Sequence, residues 1–528
     1  MKYTVLIPAA GTGSRLGKVT KYLNKSLVSV GTKPVLARVI EMFPDDAKIV
    51  LAVGYKADLM KEFITLAYPH RQIEIVEISL YEGKGSGLGF TLLACEELLQ
   101  EPFVFCSCDT LVTENIPEPD HNWMGFGARD QITQYRTLQT KNGYVSRILE
   151  KEEAEEHCKP YIGLAGIYDY TSFWKAMKAG QDVAITQGEA FGFKGLLAEH
   201  IDVASHPFTW FDTGIPKELE NTRKFFQKKN DPNILEKENE AIWFMNDMVI
   251  KYSDSINFIQ DRVKRAKGLG GYIPQIVGKT EHMYAYAYEQ GEVLSKAVTL
   301  PRFAKLLEWS KVFWKKKELC PQEREQFNED CMKFYRDKTY ERVQLFYQKF
   351  QKEDGTESIN GLGMPTLQSM LDQLDWDYVA EGAAVRFHGD FHFENILYDE
   401  ERDRFVFLDW RQNFGSSMEI GDIYYDFAKL LHGLIVCHEL IAQDRYDVDW
   451  EEDRISFTLY RKQILVECEN CFYQWLKDHG YDVHKVKLLT ALIYLNIAAL
   501  HHYPYSLMLY GLGKEMLYQI IREGRHAD

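Results

Sequence analysis

The residues best suited to chemistry open the chain, where an apolar run leads into PAAGTGSRLG and then NKSLVSVGTKPVL. A strand that ends in a Gly-rich turn lets backbone N–H groups approach phosphate oxygens. Spacing excludes two familiar phosphate loops. A P-loop has four residues between its glycines, then Lys and Ser/Thr; here five residues separate Gly11 from Gly17, and Val19 follows Lys18. A dinucleotide fingerprint needs Gly or Ala at its sixth position, where this chain has Leu16. What remains is a Gly-rich loop with Arg15 inside it and Lys25 ten residues on. Two cations beside a phosphate cradle suit a reaction in which negative charge builds on a triphosphate. Nucleotidyl transfer is such a case: a phosphate attacks the α-phosphorus and pyrophosphate leaves.

GTGSRLG followed by NKSLVSVGTKPVL resembles the signature of nucleotidyltransferases that activate sugar phosphates or phosphocholine. The resemblance covers roughly residues 1–226 and implies a Rossmann-like, GT-A-like sheet. It implies that the loop Ala10, Gly11, Thr12 and Gly13 binds the triphosphate, and that Arg15 and Lys25 stabilise the transition state. Gly85 and Ser86 fall where the family contacts the base. Asp109, in FCSCDT, and Asp212, in WFDTG, fall where it holds Mg²⁺. The chemistry agrees, because Mg²⁺ takes one or two carboxylates plus phosphates. Taken singly, each Asp reads equally as a cap or a turn residue. Glu150, in RILEKEE, and Gly163, in YIGLAGIY, fall where the family meets its acceptor; a solvated charge run and close backbone packing are the plainer readings.

A second cluster lies in VRFHGDFHFENILYDEERDRFVFLDW, residues 385–410. Phosphoryl transfer from ATP needs a carboxylate near the acceptor hydroxyl and oxygen ligands for Mg²⁺. Asp390, Asn395 and Asp409 supply those groups at protein-kinase spacing. HGDFHFENIL closely resembles the motif of the aminoglycoside phosphotransferase and choline kinase family. The resemblance covers roughly residues 234–528 and makes Asp390 the catalytic base, with Asn395 and Asp409 as metal ligands. His388 and His392 read as structural, and Asp422 and Asp426 as braces of the loop. Upstream, Lys251 in MVIKYSD resembles the lysine that holds ATP phosphates. The helix after it departs from the family, since SINFIQDRVKRAK has no Glu to pair with Lys251 and only Asp261 as an acid.

The elements that must position these groups follow from periodicity. Residues 1–110 alternate apolar β-rich runs with helically spaced ones, a βαβ rhythm that predicts a largely parallel sheet with helices on both faces. The polar stretch FQKKNDPN marks a boundary. The expected fold is α/β: a nucleotidyltransferase domain over 1–228, then a two-lobed protein-kinase-like α+β domain over 234–528, with an N-lobe to about 290 and a helical C-lobe over 295–528. At 528 residues the chain is too long for one core. Its net charge of -16 disfavours nucleic acid and anionic lipid as partners. The start reads as a first strand rather than a signal peptide, and no run approaches the roughly 18 apolar residues of a membrane helix. Nine scattered cysteines fit reduced thiols in a cytoplasm, with packing the reading for Cys106, Cys108, Cys468 and Cys471.

Two phosphate sites on one chain suggest consecutive steps, with Mg²⁺ at both and ATP and an NTP, CTP first, as substrates. The partners expected are small molecules, and the sequence leaves a homo-oligomer open. Fusions resembling this pair make CDP-choline from choline, for decoration of cell-surface glycans. A quaternary ammonium needs an aromatic cage, and Trp410, beside Asp409, is the candidate acceptor wall. A sugar or polyol for surface polysaccharide is the alternative. In a further one, only one head is catalytic and the other is a nucleotide-binding scaffold.

Overall fold

Strand Thr4–Ala9 is buried along its whole length because both of its faces are covered. Val5, Ile7 and Ala9 join Ile49, Leu51 and Val53 in one core. Leu6 joins Val50, Ala52, Phe103 and Phe105 in another, on the opposite face. This period-2 division marks a sheet sandwiched between helices. Helix Ala57–Ala67 feeds Met60 and Phe63 into the first core, and helix Tyr170–Ala179 feeds Phe173 and Trp174 into the second. The computed structural model describes residues 3–129, 132–151, 153–155, 157–228, 231 and 237–524. The division at 228–234 expected from the sequence falls mostly outside them.

The sheet has nine strands, in the order Ile73–Glu77, Lys48–Val53, Thr4–Ala9, Phe103–Cys106, Lys159–Ile167, Trp123–Phe126, Ala204–Pro207, Tyr144–Leu149, Thr137–Lys141. The first four are mutually parallel. The strands of residues 1–110 in this sheet are thus parallel, as their rhythm predicts; Lys159–Ile167 then pairs antiparallel with Phe103–Cys106, and the later strands make the sheet as a whole mixed. Parallel pairs need crossover helices, and after Cys106 the chain also uses tight turns. Asn142 and Gly143, both at positive φ, turn one hairpin.

The described chain packs as two compact units, residues 1–259 with 276–288 and residues 260–275 with 289–528. The antiparallel sheet of Glu240–Met245, Met248–Ser253, Met283–Ala287 and Ile276–Lys279 thus lies in the first unit, not with the C-terminal residues beside which the sequence division puts it. Its apolar face explains this. Trp243, Ile250, Tyr252 and Met283 share a core with Phe63 and Leu66. Trp243 packs edge-on to Phe63 at 5.3 Å and donates to Ser29 Oγ, while Tyr252 donates to the Tyr22 carbonyl.

The second unit is mainly helical. Helices Ile423–Ile435, Gln463–Asp478, Val483–Ala498 and Tyr505–Gly524 pack against one another, and a separate three-stranded sheet contains the hairpin Ile396–Asp399/Arg404–Phe407. Cys106, Cys108 and Cys468 are buried free thiols, and Cys471 is half-buried. Among the described residues no helix is long and apolar enough to cross a membrane.

Candidate active sites

The Gly-rich turn follows the first strand, and Ala10, Gly11 and Arg15 line an open cleft of about 390 Å³ with Lys25, Ser86, Asp109, Gly163 and Asp212. Gly13, at φ 66, lies against the Lys25 side chain, where an added Cβ would come within 2.8 Å of Lys25 Cβ. Thr12 is half-buried; neither it nor Gly13 lines the cleft. Gly85, at φ +88, stands one residue outside it. Gly163, at φ +71, leaves no room for a side chain against Ser107.

Asp109 and Asp212 meet, although they lie on distant parts of the chain. Strands Thr110–Val112 and Trp210–Asp212 pair antiparallel, with Asp212 opposite Thr110. Around Gly214, the position of an absent Cβ lies 3.1 Å from Asp109 Oδ2, 3.1 Å from Asp212 Oδ1 and 3.6 Å from Arg15 Nη2. Lys25 Nζ is 2.8 Å from Asp109 Oδ2, and Ser107 donates to Asp109 Oδ1. Tyr135 donates to Asp212 Oδ2 at 2.9 Å. Burial by itself would raise the Asp109 carboxyl, but the Lys25 ammonium, with Ser107 and Arg15 behind it, outweighs burial and holds it at about 2. Burial, with Asp109 beside it, pushes Asp212 up. Two carboxylates in one cradle, one of them resisting its charge, fit a hard divalent cation of the Mg²⁺ type.

Glu150 does not line the cleft. It pairs with Arg136 Nε at 2.8 Å and Lys194 Nζ at 2.6 Å, so its expected acceptor contact is replaced by an internal ion pair. Its neighbour Lys151 and its partner Arg136 line the cleft instead, with Tyr135, Tyr161 and Glu189. Burial, then repulsion by Arg15 and Arg136, lowers the Lys151 ammonium. Arg136 and Tyr135 were missed because their segment carries no motif.

In the second unit the loop around Asp390 is built from buried hydrogen bonds. Asp426 Oδ2 and Oδ1 accept from the His388 and Gly389 N–H groups, both at 2.7 Å, and Oδ2 also accepts from Trp314 Nε1. Burial nevertheless pushes Asp426 up to about 6. His388 Nδ1 accepts from the Asp390 N–H, which leaves Nε2 to donate to the Leu408 carbonyl. Burial pushes that imidazole down to about 3, so it is a neutral strut. Arg265 donates to the carbonyls of Phe387, His388 and Arg411. Asp422 caps helix Ile423–Ile435 and accepts from Tyr335.

Asn395 Nδ2 donates to Asp390 Oδ2 at 3.0 Å, and Lys429 Nζ is 2.7 Å from Asp390 Oδ1. Burial opposes the Asp390 charge, yet Lys429 and His392 hold the carboxyl well below its usual range. Pairing of Ile396 with Phe407 puts Asn395 and Asp409 at the same end of the hairpin. Asp409 sits at φ 55 with Arg262 2.7 Å from its Oδ1. The Asn395 amide nitrogen is spent on Asp390, which leaves the carboxamide oxygen and the Asp409 carboxylate as the hard donors of this set. Lys251 is 7% exposed on strand Met248–Ser253 of the first unit. Trp410 corrects an expectation: it is 0% exposed and donates to the Arg262 carbonyl, so it is core and lines no acceptor pocket.

Comparison with known proteins finds a partial family match in the second half and distant relatives of the first. Residues 326–454 match the model of the phosphotransferase enzyme family, APH. The bifunctional protein GlmU of Methanococcus maripaludis is 26% identical over 169 residues, 31% of this chain and 39% of that protein's length. The UTP–glucose-1-phosphate uridylyltransferase AglF of Haloferax volcanii is 25% identical over 179 residues, 31% of this chain and 71% of the relative. Among solved structures, a putative glucose-1-phosphate thymidylyltransferase of Bacillus anthracis superposes with TM-score 0.38 at 17% identity, over 45% of this chain and 98% of its own. The CTP:phosphocholine cytidylyltransferase of Streptococcus pneumoniae does so with TM-score 0.36 at 16% identity, over 43% of this chain and 100% of its own. The chain thus joins an N-terminal α/β half similar in sequence to nucleotidyltransferases to a C-terminal half that carries a phosphotransferase-family match over residues 326–454.

Proposed function

We propose that the C-terminal half phosphorylates a small hydroxyl compound with ATP, and that the N-terminal half couples the resulting phosphate to an NTP with release of pyrophosphate. The observation that carries the first-half reading is the convergence of Asp109, Asp212, Lys25 and Arg15 on one cleft behind the Gly-rich turn. There the loop N–H groups and Arg15 receive the triphosphate, and Arg136 and Lys151 bind the phosphorylated acceptor. Lys25 keeps Asp109 ionised and meets the charge that develops as pyrophosphate leaves. In the other half Asp390, held ionised by Lys429, accepts the proton of the acceptor hydroxyl. Asn395 orients that carboxylate through its amide nitrogen. Asp109 and Asp212 in one half, and Asn395 and Asp409 in the other, would hold Mg²⁺, which would supply neutralisation of phosphate charge.

CTP is the nucleotide to try first. Choline, the acceptor of fusions resembling this pair, is the amino-alcohol candidate and a sugar or polyol the other; the burial of Trp410 removes the aromatic wall offered for choline. The test uses the full chain with ATP, Mg²⁺ and a panel of alcohols, followed by each NTP. Asp390→Ala lowers ADP formation about 10²–10⁴-fold and leaves pyrophosphate release from a supplied phosphorylated acceptor intact. Asp109→Ala does the reverse. Loss of both activities from either single change in a folded protein refutes independent heads.

A further inference from the structure

The floor of the phosphotransfer site carries more positive charge than its chemistry requires. Lys338 and Arg342 lie one turn apart on helix Lys338–Phe350, so they share a face. Lys338 Nζ stands 4.3 Å over the Phe334 ring, and the Arg411 guanidinium stands 4.7 Å from the same ring. The Arg411 side chain packs on Gly389, the residue before Asp390. Lys429 is already bonded to Asp390. Among the described residues no carboxylate comes within ion-pair distance of Lys338, Arg342 or Arg411. Burial, then repulsion by Arg411, Lys429 and Arg342, pushes the Lys338 ammonium down to about 7. Unmatched like charges at close quarters destabilise a fold, and they persist where a ligand compensates them.

A second observation is independent of the lysines. His432 is 3% exposed, and neither of its ring nitrogens has a hydrogen-bond partner. Its ring lies 6.5 Å from His392, whose Nδ1 is also unpartnered and whose Nε2 is 3.5 Å from Asp390 Oδ2. Buried polar atoms without partners mark a place where a polar group from outside is missing.

We infer that the acceptor phosphorylated at Asp390 is an anion, a hydroxyl compound bearing a carboxylate or a phosphate group that Lys338, Arg342 and Arg411 bind. The inference rests on the phosphotransferase reading and deepens it. A quaternary ammonium would meet four cations and one already neutralised acid. The reaction balances simply: the acceptor oxygen forms a bond to the γ-phosphorus of ATP, the bond to the β-phosphate oxygen breaks, and Asp390 takes the hydroxyl proton.

The test is ADP formation by the full chain with matched acceptors: glycerol, glycerate and glycerol phosphate on one side, ethanolamine and choline on the other. The anionic members are expected to exceed glycerol at least tenfold in kcat/KM, with choline unused; the better of glycerate and glycerol phosphate tells carboxylate from phosphate. The double variant Lys338→Met, Arg342→Met is expected to raise the acceptor KM at least tenfold and to leave the KM of ATP within twofold. Preference for choline, or a change confined to the KM of ATP, overturns the inference. A binding arm runs without turnover, with malonate and inorganic phosphate at constant ionic strength and thermal unfolding as the readout. A larger upward shift in the wild type than in the double variant supports the anion site, and equal shifts refute it. If the wild type binds malonate through these residues while Asp390→Ala leaves ADP formation unchanged, the phosphotransfer reading falls and the anion site stands.

Discussion

The two sites are unbalanced in opposite directions. At the cradle around Gly214, two carboxylates share one space; Lys25 secures the charge of Asp109, while Asp212 is buried against its will. Around Asp390 the surplus is positive: four cations face one acid, and the acid is already matched by Lys429. The first imbalance calls for a divalent cation and the second for an anion. A folded protein tolerates either at a cost in stability because the site is completed by what it binds. The contrast also explains why similar residue types do different work. Lys25 and Lys429 each sit within hydrogen-bond distance of an aspartate of their candidate site; Lys25 shares its cleft with a second carboxylate, Asp212, while Lys429 stands among further cations.

The largest effect that would sharpen this contrast comes from Lys25→Met. Pyrophosphate release should fall about 10²–10³-fold. With the ammonium gone, the Asp109 carboxyl rises from about 2 toward the ordinary range. The acid limb of the pH–rate profile therefore moves to higher pH, which a profile from pH 4 to 8 reads directly. An unmoved limb would show that Lys25 acts only on the triphosphate.

Asp212→Asn has a smaller effect, read on stability, and it is stabilising at neutral pH. The folded-state pKa of Asp212 is raised, so its contribution to stability is present below the unfolded value and is lost as pH rises through the folded one. At neutral pH it is a liability, and Asn removes it. Without Mg²⁺ the variant should melt above the wild type at pH 7.5 and lose that advantage at pH 4. Added Mg²⁺ should raise the Tm of the wild type only. A variant less stable at both pH values would mean that the acceptor role of Asp212 toward Tyr135 and Gly214 outweighs its burial.

Trp410→Phe should have the smallest effect. It removes the bond to the Arg262 carbonyl, a loss on the order of 1 kcal/mol in chemical denaturation. The KM values of acceptor and ATP should stay within twofold. A tenfold rise in acceptor KM alone would restore the aromatic-wall reading.

The sites were legible where their chemistry is local in sequence. The loop at 388–395 and Asp409 belong to one loop and hairpin, so their spacing carries their geometry. The brace at Asp426 was legible only through the resemblance, because its helix, Ile423–Ile435, begins after the whole hairpin and packs back on the loop through Asp426. The Gly-rich turn was legible because a strand and a helical turn flank it. Lys429, Lys338 and Arg342 were not, since each stands in an ordinary helical pattern and gains its role from what the helix packs against. Glu150 misled because a charge run does not say which of its members turns inward; Lys151 does. The antiparallel half of the first sheet had a readable sign in Asn142-Gly143, a hairpin dipeptide that went unused.

By itself, then, the order of residues nominated the groups that could carry the chemistry and roughly which stretch of chain supplies each, because hydrogen-bonded loops and strand ends are short-range objects. Tertiary structure alone decided that the sheet at 240–287 shares its core with Phe63, that Trp410 is interior, and that the cations of separate helices gather beside Asp390. The reason is that apolar burial is non-directional. A periodic apolar face states that it will be covered, but only the folded chain chooses what covers it and which charges are thereby brought together.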